Sequence, residues 1–109
     1  MIDVNTLPAC PVETTLTLIS DKWKILIARD LLTGTKRFSE LRRSIGHISQ
    51  KALTSNLRQM EADGLVHRKV YPEVPPRVEY SLTDTGHSLK TVIDALWNWG
   101  EDYKAKLAA

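Results

Sequence analysis

The sequence predicts a mainly α-helical fold with one small β-hairpin, and three observations carry that expectation. Two short amphipathic segments fall within 38–63, joined by a turn at Gly46-His47-Ile48. Two alternating segments, 65–71 and 77–83, come directly after them, with Pro72, Pro75 and Pro76 between the two. A long segment with apolar residues at helical spacing comes last. A hairpin placed directly after two such helices is a wing, so the expected architecture is a winged helix-turn-helix. At 109 residues the chain reads as one domain, 1–109. The helix-turn-helix falls at about 38–63, the wing at about 65–83 and a C-terminal dimerisation helix at about 84–106.

Each element has a local reason. Pro11 suits the first position of a helix, and Val12, Leu16 and Ile19 follow at helical spacing. Cys10 then falls at or beside the N-cap. Ser20-Asp21 caps the next helix, 22–33, where Trp23, Ile25, Leu26, Ile27, Ala28, Leu31 and Leu32 lie on several sides. A helix apolar nearly all round is buried, which makes this the central core helix, closed by Gly34. Ser39 is expected to cap a short helix with Leu41 and Ile45 inward, ended by Gly46. Ser49 caps the helix after it, whose inward stripe is Leu53, Leu57 and Met60 and which Gly64 terminates. In the strands, Val66 and Val70 share one face, as do Val78, Tyr80 and Leu82.

Thr83 caps the last helix. Leu89, Val92, Ile93, Leu96, Trp97, Trp99, Tyr103 and Leu107 cover about 160° of its circumference, wider than the roughly 100° stripe that packing on one body needs. The excess predicts a second body. Another copy of the chain is the simplest one, because Trp and Tyr are enriched at interfaces.

Composition excludes several classes. Apolar residues at 42% and charged residues at 26% are ordinary for a globular protein. No apolar run approaches the ~18 residues of a membrane span, and the opening has no signal-peptide pattern. A single cysteine rules out an intrachain disulfide and a cysteine-rich metal site. A cytoplasmic protein without membrane contact is expected. His47, His67 and His87 stand twenty residues apart on three elements, which is no metal-ligand spacing. No Ser–His–Asp set, phosphate-cradling glycine loop or carboxylate pair is present. Neither an enzyme nor a bound cofactor or metal is expected.

Charge is unevenly placed. Residues 36–69 hold eight basic and three acidic side chains, whereas the rest of the chain holds seven and ten. This asymmetry points the middle of the chain at a polyanion, double-stranded DNA in particular. The second helix of the pair is the one that enters a major groove. Lys51, Thr54, Ser55 and Arg58 lie about 100–200° around it from Leu53, with Gln50 in the first turn. Gln and Arg make bidentate contacts with base edges, Thr and Ser adapt to base or phosphate, and Lys51 suits phosphate. Arg42 and Arg43 ride on the first helix and Arg37 stands at its start, where the DNA backbone passes. Arg77, beside the wing prolines, is placed for a minor groove or a phosphate, with Arg68 and Lys69 on the preceding strand. His47 lies in the turn near the same backbone.

Cys10 is the chemically distinctive residue. The helix dipole favours thiolate at a helix N-terminus, which raises reactivity toward oxidants and alkylating agents. Sulfenic acid, an alkylated thiol or an intersubunit disulfide would result. The bland alternative is a small capping residue.

Several strings closely resemble the HxlR-type winged helix-turn-helix regulators of bacteria and archaea. They include Cys10-Pro-Val-Glu, Asp21-Lys-Trp-Lys-Ile, Arg37-Phe-Ser-Glu-Leu, Ile48-Ser-Gln-Lys-Ala-Leu-Thr and Leu57-Arg-Gln-Met-Glu-Ala-Asp-Gly-Leu. Tyr71-Pro-Glu-Val-Pro-Pro-Arg-Val-Glu-Tyr and Leu82-Thr-Asp-Thr-Gly complete the set, which covers roughly 10–103. The resemblance implies a homodimer on operator DNA, built from the N-terminal and C-terminal helices. The interface residues would be Val12, Leu16, Leu89, Val92, Leu96, Trp97, Trp99 and Tyr103. It also implies thiol sensing of oxidants or electrophiles at Cys10. Some such regulators pair two cysteines, and this chain has one, so direct modification of Cys10 is the expected form. Two other readings stay open: a regulator with a small-molecule ligand in the dimer cleft and an inert Cys10, and a winged-helix module that docks an acidic protein.

Overall fold

The structure, a computed structural model, describes residues 2–109. After a 3-10 turn at Val4–Thr6 come α1 (Pro11–Leu18), α2 (Lys22–Leu31), β1 (Lys36–Arg37), α3 (Phe38–Ile45) and α4 (Gln50–Ala62). Next are β2 (Val66–Tyr71), β3 (Arg77–Leu82), α5 (Asp84–Ser88) and α6 (Lys90–Ala108). The architecture is a winged helix-turn-helix.

Caps set the helix starts. Cys10 is the N-cap of α1 and Pro11 its first residue. The Asp21 carboxylate accepts from the Trp23 N–H at 2.8 Å, and Ser49 Oγ from the Ala52 N–H at 3.0 Å. The short helix α3 starts one residue before the expected Ser39 cap. Its N-cap is Arg37, whose backbone N–H donates to the Glu40 carboxylate at 2.8 Å. Gly46, at φ +91°, stops α3 in a conformation that costs a side-chain-bearing residue strain. A Schellman pair ends α4: Gly64 N–H to Glu61 O at 3.1 Å and Leu65 N–H to Met60 O at 2.9 Å.

α2 runs through the core. Its Ile27, Ala28 and Leu31 are fully enclosed by Leu41 and Ile45 of α3, Leu53, Leu57 and Met60 of α4, Leu65, Val66, Leu82 and Leu89. The buried Asp30 carboxylate ties α2 to α3. It accepts from Ser44 Oγ at 2.8 Å and from Arg29 Nε at 2.8 Å, and such bonds make burial of the charge tolerable.

Two features depart from the sequence reading. The sheet has three strands, in the order β1-β3-β2, because Lys36 and Arg37 pair antiparallel with Tyr80 and Glu79. The helix expected over 84–106 is interrupted at Leu89, whose N–H bonds to Gly86 O at 3.1 Å, and it resumes to Ala108. Leu89 is buried in the domain's own core, so it does not belong to the free apolar face assigned to it.

Thr83 joins the wing to α5. Its N–H donates to Leu65 O at 3.0 Å, its hydroxyl donates to Gly64 O at 2.6 Å and accepts from the Gly86 N–H at 3.0 Å. Gly86 packs against this junction so closely that an added Cβ would land on the Leu65 carbonyl oxygen and 2.9 Å from Leu82 Cδ2. The Cα radius of gyration is 15.5 Å, against about 13 Å for a compact domain of this length, because α1 and α6 project.

Gly86→Ala is therefore expected to destabilise the fold by at least about 1–3 kcal/mol, since the obstacle is backbone and not a flexible side chain. Urea unfolding of the variant checks this.

Candidate nucleic-acid interface

The second helix of the pair has two sharply different sides. Leu53, Asn56, Leu57 and Met60 are buried, at the 3–4 residue spacing of one face. Asn56 completes that stripe by donating its side-chain amide to Ala52 O at 2.8 Å, a role its polar side chain does not announce in the sequence. The other side is open. Gln50, Lys51, Thr54, Ser55 and Arg58 line one shallow surface groove, so the structure brings the five helix candidates together. Gln59 and Ala62 extend that groove toward the helix end; they lie beyond the Lys51–Arg58 arc that the sequence singles out.

Arg37, Arg42 and Arg43 are exposed at the start and along α3. Outside 36–69, four of the seven basic side chains, Arg29, Arg77, Lys90 and Lys104, each have a carboxylate within 4 Å among the described residues, and Lys22, Lys24 and Lys106 have none. Among the described residues, none of the eight basic side chains in 36–69 has one. Two of the three acidic residues of that segment are turned to other work: Glu40 caps Arg37 and Asp63 accepts from Gln59 Nε2 at 3.1 Å.

Arg77 sits apart from the α4 surface. Its guanidinium lies 3.9 Å from the Tyr71 ring centroid, 3.3 Å from Glu73 and 3.7 Å from Glu79. Those contacts hold the two ends of the hairpin loop together and offset its charge. His47, in the helix-turn-helix turn, packs its ring on Trp23 with centroids 5.1 Å apart.

Cys10 is exposed and its side chain makes no cap hydrogen bond. Val12 and Leu16 of α1 are exposed, as are Leu96, Trp97, Trp99, Tyr103 and Leu107 of α6, with Trp99 and Tyr103 stacked at 5.3 Å. Val92 is partly buried against the core. Among the described residues, no helix is long and apolar enough to cross a membrane, and no three His, Cys, Asp or Glu side chains gather as a metal site would require.

The model of the HxlR-like helix-turn-helix family matches residues 18–108. The chain belongs to that family. The HTH-type transcriptional regulator YdeP of Bacillus subtilis (strain 168) is 50% identical over 98 residues, 90% of this chain and 77% of YdeP. Among solved structures, the redox regulator HypR in its oxidized form gives a TM-score of 0.80 at 49% identity, over 85% of this chain and 96% of HypR. The reduced form of the transcriptional regulator YodB from B. subtilis gives 0.75 at 36% identity, over 88% and 95%. This HxlR-family chain is a transcriptional regulator of the winged-helix, DNA-binding type, and its relatives are regulators rather than enzymes.

Removing the guanidinium in Arg77→Ala is expected to speed amide exchange across 71–77. The melting temperature should fall by less than about 5 °C, since exposed ion pairs contribute little to global stability. Unchanged exchange would show that Arg77 does not hold the hairpin ends.

Proposed function

We propose that the protein acts as a homodimer on a pseudo-palindromic operator, with α4 of each protomer in a major groove. The observation that carries this reading is the set of eight basic side chains in 36–69 without a carboxylate partner. Outside that segment four of seven basic side chains are ion-paired, whereas inside it none of the eight is, which leaves their charge available to phosphate. Gln50, Thr54, Ser55 and Arg58 read base edges, Lys51 neutralises phosphate, and Arg37, Arg42 and Arg43 track the backbone. Arg77 serves from the wing, chiefly by holding its shape.

The dimer is supported by α1 and α6. Neither buries a single residue in the protomer, yet together they expose Val12, Leu16, Leu96, Trp97, Trp99 and Tyr103. An isolated eight-residue helix is marginal in water, and α1 packs on the core only at its end, through Leu18, so a partner surface along Val12 and Leu16 would stabilise it. Val92 contributes from the edge of the core. A twofold axis through this face sets two α4 helices about 34 Å apart, one turn of DNA.

Selection of bound sites from a random duplex pool tests the reading. An inverted repeat with half-site centres about one helical turn apart is expected. No enrichment from a folded dimer would favour a module that docks an acidic protein. Arg58→Ala is expected to weaken binding by roughly 1–3 kcal/mol and to relax base choice at one position per half-site. Lys51→Ala should lower the salt slope by about 0.9 per protomer on any sequence.

The effector reading assigns an oxidant or electrophile to Cys10. It is supported by the exposed thiol at the N-cap of α1, a helix assigned to the dimer, and by the likeness to the redox regulator HypR. Modification there alters the packing of α1 and so the spacing of the two α4 helices. Cys10→Ser is expected to stay on DNA when the wild type is released by an electrophile. Release of both alike would point to a ligand in the cleft between the terminal helices.

A further inference from the structure

The two faces of the wing differ in chemistry. The register pairs Val66 with Leu82, Arg68 with Tyr80 and Val70 with Val78. The face that buries Val66 and Leu82 therefore also carries Arg68 and Tyr80. The opposite face carries Lys69, Tyr71, Arg77 and Glu79, where Arg77 is engaged by Glu73 and Glu79. Arg68 is thus the free cation that the wing turns toward α4.

Between α4 and the hairpin lies a groove of about 300 Å³, lined by Thr54, Leu57, Arg58, Glu61, Arg68 and Tyr80. Arg58 and Arg68 have no carboxylate within 4 Å, although Glu61 borders the same groove. Two guanidiniums against one carboxylate leave the groove with an uncompensated positive charge.

We propose that this groove seats one phosphodiester of the DNA backbone in each half-site, held by Arg68 with Arg58 beside it. The inference rests on the reading of α4 as the major-groove helix. One sugar–phosphate strand separates a major groove from the adjacent minor groove. With α4 in the former and the hairpin outside it, that strand crosses the space between them, where the groove lies. Guanidinium forks match phosphate oxygens in charge and geometry. Glu61 opposes an anion at this place, which supplies a test of opposite sign.

The experiment compares the full chain with Arg68→Gln and Glu61→Gln on the selected duplex and on random duplex, at several salt concentrations. Arg68 is exposed, so its substitution leaves the core intact. Arg68→Gln is expected to lower the log–log salt slope by about 0.9 per protomer on both duplexes, with base preference unchanged. Glu61→Gln is expected to tighten both several-fold. A scan that replaces one phosphate at a time by neutral methylphosphonate should reveal one position per half-site that weakens the wild type and weakens Arg68→Gln clearly less. An unchanged slope for Arg68→Gln, or a methylphosphonate profile identical to that of the wild type, overturns the inference and leaves the major-groove reading standing. Absence of salt-dependent duplex binding by the wild type overturns both.

Discussion

The hydrogen bonds of Thr83 are the constraint on which the DNA-facing half and the projecting half both depend. With three bonds this residue joins the exit of α4 at Gly64-Leu65, the base of the hairpin and the first turn of α5. A two-stranded hairpin alone is marginal in water. Here its open end is closed by Thr83 and its edge by β1, and only the loop is left to Arg77 and Tyr71. These ties set the angle between wing and α4, and with it the groove that holds Arg58 and Arg68. The same junction fixes where the chain leaves for α6.

Electrostatics obey a division of labour among acidic residues. Outside 36–69, carboxylates meet cations: the buried Asp30 with Arg29, and on the surface Asp94 with Lys90. In 36–69, Glu40 and Asp63 are drawn off to backbone and amide donors, Glu61 meets no cation within 4 Å among the described residues, and the cations stay free. The net excess of five positive charges in the segment repels itself, at a cost softened by salt within a Debye length of about 8 Å. The core of α2, α3 and α4 bears that cost. An anionic partner relieves it, so partner binding and release of self-repulsion are one event.

Local signals are legible in the sequence, and features made by distant partners are not. Ser49 and Asp21 cap through their own side chains, and the Leu53-Leu57-Met60 stripe has its period written in three residues. The five α4 candidates share a face for the same reason. β1 is invisible because Lys36-Arg37 has no strand pattern of its own; Tyr80 and Glu79 make it a strand. The break at Leu89 is invisible because a helical period runs through it unchanged, while the tight packing of Gly86 on Leu65 just before it involves a distant partner. Arg77 reads as a free cation beside prolines, while its carboxylate neighbours two and four residues away meet it through the hairpin. Arg68 does leave a trace, a charge at the centre of the Val66-x-Arg68-x-Val70 alternation, on the side that should be apolar.

The break at Leu89 gives α6 the mechanics of a lever. Its 19 residues at 1.5 Å each extend about 28 Å from that joint. Every degree of bend displaces the far end by about half an ångström, given the same rise per residue. The pivot is buried and held beside the Thr83 junction, whereas the arm carries Trp97, Trp99 and Tyr103 in the open. A side-chain change at the pivot too small to disturb the helix-turn-helix is therefore magnified along the arm. In the proposed dimer, a conservative change at this one position would alter how far apart two copies hold their α4 helices without altering those helices themselves.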